Sequence, residues 1–323
     1  MRKTVFLLLS LLLLGGGAVG VKLWAGYTQP GPLTQDTDVV IPQGNYRSTI
    51  HTLQSAHVLP SGMVAEYIAL LAIQLTRHQG QLHAAELSFP ANSSLKQVLW
   101  ILRHAHPVLH KLTIPEGLSA YQIQEIFENA AFLTGQTPLP EEGSVQPQTY
   151  KFLRNTTRSN ALASTQMAMA HTLESLWQNR EVISEIPNKH ALVTLASLIE
   201  KETSVPEERP EVARVFINRL NAGIKLQTDP TVIYGLTAGK TPLGHGLTHA
   251  ELQNASAYNT YLYAGLPPGP ICSPGLSALQ AAAHPAKGDM LYFVANGRGG
   301  HNFANTLAEH NKNVSEFRKT LKK

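Results

Sequence analysis

The clearest apolar spacing in the chain lies between Leu192 and Leu236. Leu195, Leu198, Ile199 and Glu202 fall at three- and four-residue steps, the repeat of a single helix face. Three of these positions are apolar and are expected to face a core. The fourth is a carboxylic acid, while Glu200 and Lys201 point to other sides of the same helix. Val205-Pro206 resists helical continuation and should end the element. A second helix is predicted to open at Pro206. It carries Glu207 and Glu208 at its positive end, buries Val212, Val215, Phe216 and Leu220, and stops at Gly223. Asp229-Pro230 then reads as an N-cap and first-turn pair opening a short helix, Thr231 to Leu236.

Elsewhere the same spacing predicts helices over Met63–Arg77, Leu95–His104, Tyr121–Phe132, Ala161–Arg180, Leu276–Ala283 and Thr306–Leu321. Strands are expected at Leu109–Ile114 and Met290–Ala295, the latter turning through Asn296–Gly300 into a return strand at Asn302-Phe303. Gln29–Asn45, polar with Pro and Gly, reads as a linker or the first irregular part of a domain. Gln136–Gln148, rich in Pro, Gly and Glu, reads as the boundary into a second domain. The fold class is therefore α+β. A small α/β subdomain occupies residues 28–135 and a larger α+β domain residues 136–323.

The first 27 residues stand apart. Arg2 and Lys3 precede an apolar run from Val5 to Val21, followed by Lys22, Trp24 and Tyr27. The run is close to the lower limit of ~17 residues for spanning a bilayer, and the aromatic residues suit an interface. A cleaved signal peptide, with Ala18-Val19-Gly20 as its cleavage site, is the alternative. Either way the body is exported.

Composition narrows the class of protein. At 323 residues, with 43% hydrophobic and 15% charged positions, the chain can build one large core or two modest ones. A net charge of +4 is mildly basic, with no basic stripe and interleaved aromatics, so nucleic acid is not an expected partner. The single cysteine, Cys272, permits no internal disulfide and reads as a small apolar filler. His104, His106 and His110 lack metal-ligand spacing, because Pro107 interrupts them, and read as surface histidines. None of the 14 histidines forms a known zinc pattern. No metal or cofactor is expected.

Glu202 is the candidate with chemistry. Partial burial and the negative end of its helix both disfavour an ionised carboxyl. A carboxyl held protonated near neutral pH is a general acid. Glu200, on another face, is expected to tolerate replacement by Gln. Gln227, Thr228, Asp229, Tyr258, Asn259 and Tyr261 lie in loop or loop-to-helix segments. They offer ring-stacking, hydroxyl and amide groups suited to sugars. His301, alone in a hairpin, fits a structural role better than a catalytic one.

The run EKETSVPEERPEVARVFINRLNAGIKLQTDPTVIYGL resembles the catalytic core of endolytic murein transglycosylases of the MltG (YceG-like) type. AYNTYLYAGLPPGPICSPG, ALQAAAHPAK, LYFVANGRGGHNF and AEHN continue the likeness in order. TIPEGLSAYQI and EEGSVQPQTY echo it more thinly upstream. The resemblance implies that Glu202, the second Glu of the EKE motif, is the catalytic acid. It implies a membrane anchor over residues 1–27 and a LysM-like glycan-binding subdomain in residues 28–135. The implied activity is cleavage of the MurNAc–GlcNAc β-1,4 bond in peptidoglycan, leaving 1,6-anhydro ends, on the extracytoplasmic side of the cell membrane. Peptidoglycan synthases are the candidate protein partners. The family carries an acidic residue after the Pro of the 136–148 segment, where this chain has Gln148. That leaves Glu142 and Tyr150 as the segment's candidate cleft residues. A hydrolytic muramidase using Asp229 as second carboxylate, and a non-catalytic wall-binding scaffold, are the alternatives.

Overall fold

A computed structural model describes residues 16–17 and 20–321. Arg2, Lys3, the proposed cleavage site at Ala18-Val19 and most of the Val5–Val21 run lie outside the described residues. Among the described residues no helix is long and apolar enough to cross a membrane. The chain divides into two compact units, residues 1–110 and 111–323.

The first unit begins with a helix over residues 20–28 (α1) and continues β1 (Thr37–Val40), α2 (Tyr46–Ser55), α3 (Met63–Leu75), β2 (Glu86–Phe89) and α4 (Leu95–His104). β1 and β2 pair antiparallel, with Thr37 opposite Phe89 and Val40 opposite Glu86. The segment expected to be a linker or the irregular start of a domain therefore supplies a strand. Its alternation buries Val39 against Leu87, Phe89, Ile50, Leu53, Val98 and Leu102. α4 starts on a reciprocal cap between Ser94 and Gln97, each side chain bonded to the other residue's backbone N–H. His104 and His106 are exposed, as expected of surface residues. His110 is not a surface residue, because its ring is half-buried against the Glu86 carboxylate.

In the second unit, β3 (Leu109–Thr113), which crosses the unit boundary, pairs with β5 (Thr149–Leu153). β4 (Leu133–Thr134) pairs parallel with β6 (Thr156–Thr157). With α5 (Ala120–Asn129) and the start of α6 (Arg158–Asn179), these strands enclose a core of Leu112, Ile114, Ile123, Phe127, Leu133, Val145 and Leu162. This packing explains why the units part at residue 110 and not at 135. Residues 111–135 bury their apolar faces against residues beyond 140. The 136–148 stretch is likewise no free linker, because Val145 is fully buried within that core.

The rest of the unit is built around α7 (Lys189–Glu202). α8 (Arg209–Asn221), α9 (Asp229–Thr237) and α11 (Leu276–Ala283) pack on it. α10 (His249–Leu252), the hairpin β7 (Tyr292–Ala295) and β8 (His301–Ala304), and α12 (Leu307–Thr320) complete the domain. The spacing of Leu195, Leu198 and Ile199 predicts one buried face, but eight consecutive residues, Leu192 to Ile199, are buried. Such a helix belongs in the middle of a core. Its internal hydroxyls are satisfied locally: Thr194 Oγ1 donates to the His190 carbonyl and Ser197 Oγ to that of Thr194. Cys272 is fully buried beside it, and burial pushes its thiol well up, in keeping with a filler role.

Gly143 fixes the 136–148 stretch against this core. It has φ +73°, and an added Cβ would meet Pro270 and Val193 at 2.8 Å. Gly143→Ala is expected to lower stability by about 1–3 kcal/mol, through overpacking and backbone strain. Thermal unfolding checks this, and an unchanged melting temperature would show that the stretch yields as a linker would.

Candidate active site

The C-terminal turn of α7 carries three charged residues, and each finds a different partner. Glu200 Oε1 accepts from Arg209 Nη2 at 2.9 Å, and its other oxygen accepts from the Gly275 backbone N–H at 2.9 Å. Only 6–7% of either side chain in that ion pair is exposed. Lys201 Nζ donates to the Gly117 carbonyl at 3.2 Å. Glu202 turns to the opposite side and accepts a hydrogen bond from the Thr228 hydroxyl. Glu200 therefore does lie on another face, but it is a buried structural ion pair and not a replaceable surface group.

Glu202 opens onto a cleft of about 530 Å³. Its polar wall is Gln227, Thr228, Asp229, Tyr261, Arg219 and His310, and its apolar wall is Phe216, Leu226, Phe293 and Val294. Burial raises the pKa of Glu202, and the neighbouring Asp229 charge raises it further. The Thr228 hydroxyl, His301 and Arg219 pull the other way without reversing the shift.

The loop before α9 sets this wall. Gln227 has φ +53°, a left-handed conformation uncommon for a residue with a side chain. Two bonds to one residue hold it there: Gln227 N–H donates to the Thr260 carbonyl at 3.1 Å, and Thr228 N–H donates to Thr260 Oγ1 at 3.0 Å. Arg219 braces the same loop, donating from Nη1 to the Leu226 carbonyl at 2.8 Å and from Nε to the Leu291 carbonyl at 2.7 Å. Asp229 is not the cap of α9. Thr228 occupies the N-cap position, with no side-chain cap bond, and Asp229 is the first helical residue. Its carboxylate is thereby free to accept the Tyr261 hydroxyl at 2.5 Å.

Four of the six expected binding residues, Gln227, Thr228, Asp229 and Tyr261, line the cleft with Glu202. Two do not. Asn259 is fully buried; its amide donates to the Leu252 and Asn254 carbonyls, and its carbonyl accepts from Tyr261 N–H at 2.9 Å. It shapes the turn that presents Tyr261. Tyr258 meets the Tyr234 ring at a tilt, centroids 4.8 Å apart, and packs on the core beside α7. Glu142 and Tyr150 also lie outside the cleft. Glu142 accepts from Ala120 N–H and the Tyr234 hydroxyl, and the Tyr150 hydroxyl donates to the Gln146 carbonyl. His301 is committed to Glu208, through Nδ1 at 2.7 Å and its backbone N–H at 2.8 Å.

Arg219 and His310 are the functional candidates that sequence reasoning passes over. His310 stacks on Tyr292 at 5.1 Å, and the Arg219 guanidinium lies 5.3 Å from the same ring. Burial and the Arg219 charge both hold His310 below the usual imidazole pKa, so it is neutral at neutral pH. The NRL and AEHN segments carry these two residues and contain the only signal for them. Chemically the arrangement is one carboxyl whose pKa burial raises, a second carboxyl beside it, and a set of hydroxyl, amide and aromatic groups around an open cleft.

The YceG-like family model matches residues 39–316, most of the chain. The chain belongs to the YceG-like family. A YceG-like protein of Listeria monocytogenes, known from a crystal structure, superposes with a TM-score of 0.52 at 27% identity, over 86% of this chain and 99% of that one. The endolytic murein transglycosylase of Bacillus subtilis is 39% identical over 178 residues, which are 55% of this YceG-like chain and 48% of that protein. The endolytic murein transglycosylase of Streptococcus pneumoniae is 29% identical over 328 residues, 86% of this chain and 58% of that protein. The chain thus spans about half the length of the curated relatives it matches.

Two substitutions separate the neighbouring glutamates. Glu200→Gln is expected to destabilise by about 2–3 kcal/mol, because Arg209 loses its close buried partner and keeps only Glu116 at 3.7 Å. Glu202→Gln should behave differently. Folded Glu202 holds its proton above the ordinary carboxylate value of 4.5, so its contribution to stability falls as pH rises from there through its folded pKa. The Gln variant escapes this loss. Its melting temperature should gain on wild type as pH rises toward neutrality and show no such gain in acid. Melting curves across pH check both, and a pH-independent difference would mean that Glu202 is unshifted.

Proposed function

We propose that this chain is an endolytic lytic transglycosylase. It cleaves the β-1,4 bond between MurNAc and GlcNAc within peptidoglycan strands, leaves 1,6-anhydroMurNAc ends and limits strand length. The observation that carries this reading is Glu202, its pKa raised by burial, at the head of a polar cleft, in a chain whose relatives bear that enzyme's name. Glu202 donates its proton to the glycosidic oxygen as the bond to MurNAc C1 breaks. The substrate's N-acetyl group helps to stabilise the positive charge at C1. The resulting Glu202 carboxylate takes the proton of the C6 hydroxyl, whose oxygen closes on C1. One carboxyl serves as acid and then base, where hydrolysis with two carboxylates divides the roles. Thr228 steers the carboxyl, and Asp229, held by Tyr261, discourages its early ionisation.

Asp229 in the same cleft favours a second reading, a hydrolytic muramidase with Asp229 activating water. Product mass separates the two, since an anhydro end is one water lighter than a hydrolysed one. Digestion of glycan strands is expected to yield the lighter product, at a rate that falls as pH rises through the Glu202 pKa. Glu202→Gln should lower turnover roughly 10²–10⁴-fold while the protein remains folded. Products that carry the additional water would replace the first reading with the second.

The proposal extends to location. The Val5–Val21 run anchors the chain in the cell membrane as a single pass, with Arg2 and Lys3 inside and the chain from residue 28 onward outside the cytoplasm. The LysM-like glycan-binding subdomain lies within residues 28–135, and peptidoglycan synthases are the expected neighbours.

A further inference from the structure

The first unit carries an apolar surface that its own core does not use. α3 turns Ala69, Ala72 and Ile73 inward. On its outer side Met63, Tyr67, Leu71 and Leu75 recur at four-residue steps, with Val64 beside them. Exposure along this stripe reaches 76% at Val64 and is still 63% at Tyr67. A helix that only meets water presents a polar outer face. Here the polar residues are few, and Glu66 is paired with Arg47 at 3.4 Å.

The stripe is continuous with α1. Gly26 lies close to Ile68, where an added Cβ would come within 3.2 Å of its Cδ1, so the two helices touch. Between them runs an apolar groove of about 330 Å³, lined by Leu23, Trp24, Ile68, Leu71 and Leu75 among others. Trp24 is 69% exposed and lies at its edge.

We propose that this surface rests on the lipid bilayer, with the α3 stripe and Trp24 sunk into the headgroup region. The inference rests on the anchor reading above and adds a second, peripheral contact to it. The occupant is identified by where the chain leads. The apolar run Val5–Val21 feeds directly into α1, so a chain leaving the bilayer there meets α3 at the interface. Exposed cations border the surface: Lys22 just before Trp24, and Arg77 just after α3. Trp and Tyr beside cations, with aliphatic side chains between them, are what an interfacial helix needs on anionic lipid. The first unit would then lie against the membrane and hold its glycan close to where strands emerge.

The full-length protein, reconstituted in nanodiscs of phosphatidylethanolamine and phosphatidylglycerol, tests this by spin-label accessibility. Single labels are introduced as Leu12→Cys, Val64→Cys, Tyr67→Cys and Leu75→Cys; the buried Cys272 stays unlabelled. Labels at 64, 67 and 75 are expected to favour oxygen over a water-soluble nickel complex, with depths of about 5–10 Å below the headgroup surface. If they collide freely with nickel while the label at 12 is in lipid, the anchor stands and the inference is overturned. If they are shielded from both reagents, protein covers the stripe and the inference is again overturned. A water-exposed label at 12 removes the anchor reading, and the inference with it.

Discussion

The burial of the middle of α7 is the constraint on which the second unit depends. With Leu192 to Ile199 surrounded, the helix has no solvent face along most of its length, and the charged side chains of its C-terminal half emerge together at its last turn. There Glu200, Lys201 and Glu202 leave in three directions. One closes a buried ion pair with Arg209, one reaches the Gly117 carbonyl and one faces the cleft. The cleft carboxyl thus sits at the end of an element whose middle is fully buried. The ion pair beside it ties α7 to the start of α8 and to Gly275, so that support and the cleft carboxyl share a single helical turn.

Around that fixed point, helices and one strand supply most of the cleft, and two loop segments, 226–228 and the turn at Tyr261, complete its wall. Thr260 receives both N–H groups of the Gln227–Thr228 turn. Asn259 shapes the next residues so that Tyr261 reaches Asp229, and Arg219 ties the loop to the hairpin. Most of these groups act through backbone carbonyls and amides.

This explains how far the sequence could be read. α4 and α11 have the limits that spacing predicts, and the phase that separates Glu202 from Glu200 was legible in a single helical repeat. The α+β class was legible as well. β1 was hidden because a four-residue strand with one fully buried side chain looks like a polar linker. The unit boundary was hidden because Pro, Gly and Glu between 136 and 148 mark tight turns against a core as readily as a linker. Tyr258 and Tyr261 have the same chemistry three residues apart, and only the turn held by Asn259 decides which of them faces the cleft. Arg219 follows an apolar stripe and has the look of a solvated helix residue until its carbonyl partners are known.

The left-handed backbone at Gln227 has a consequence for how this loop can change over generations. A side chain in that conformation is disfavoured by roughly 1–2 kcal/mol relative to the right-handed region. Glycine would remove the penalty but would also let the turn sample many other shapes. Selection for stability alone therefore points toward glycine, and selection for a fixed opening beside the carboxyl points away from it. The position is a small gauge of which pressure dominates, and a lineage in which the cleft falls out of use has a one-residue path to relaxation.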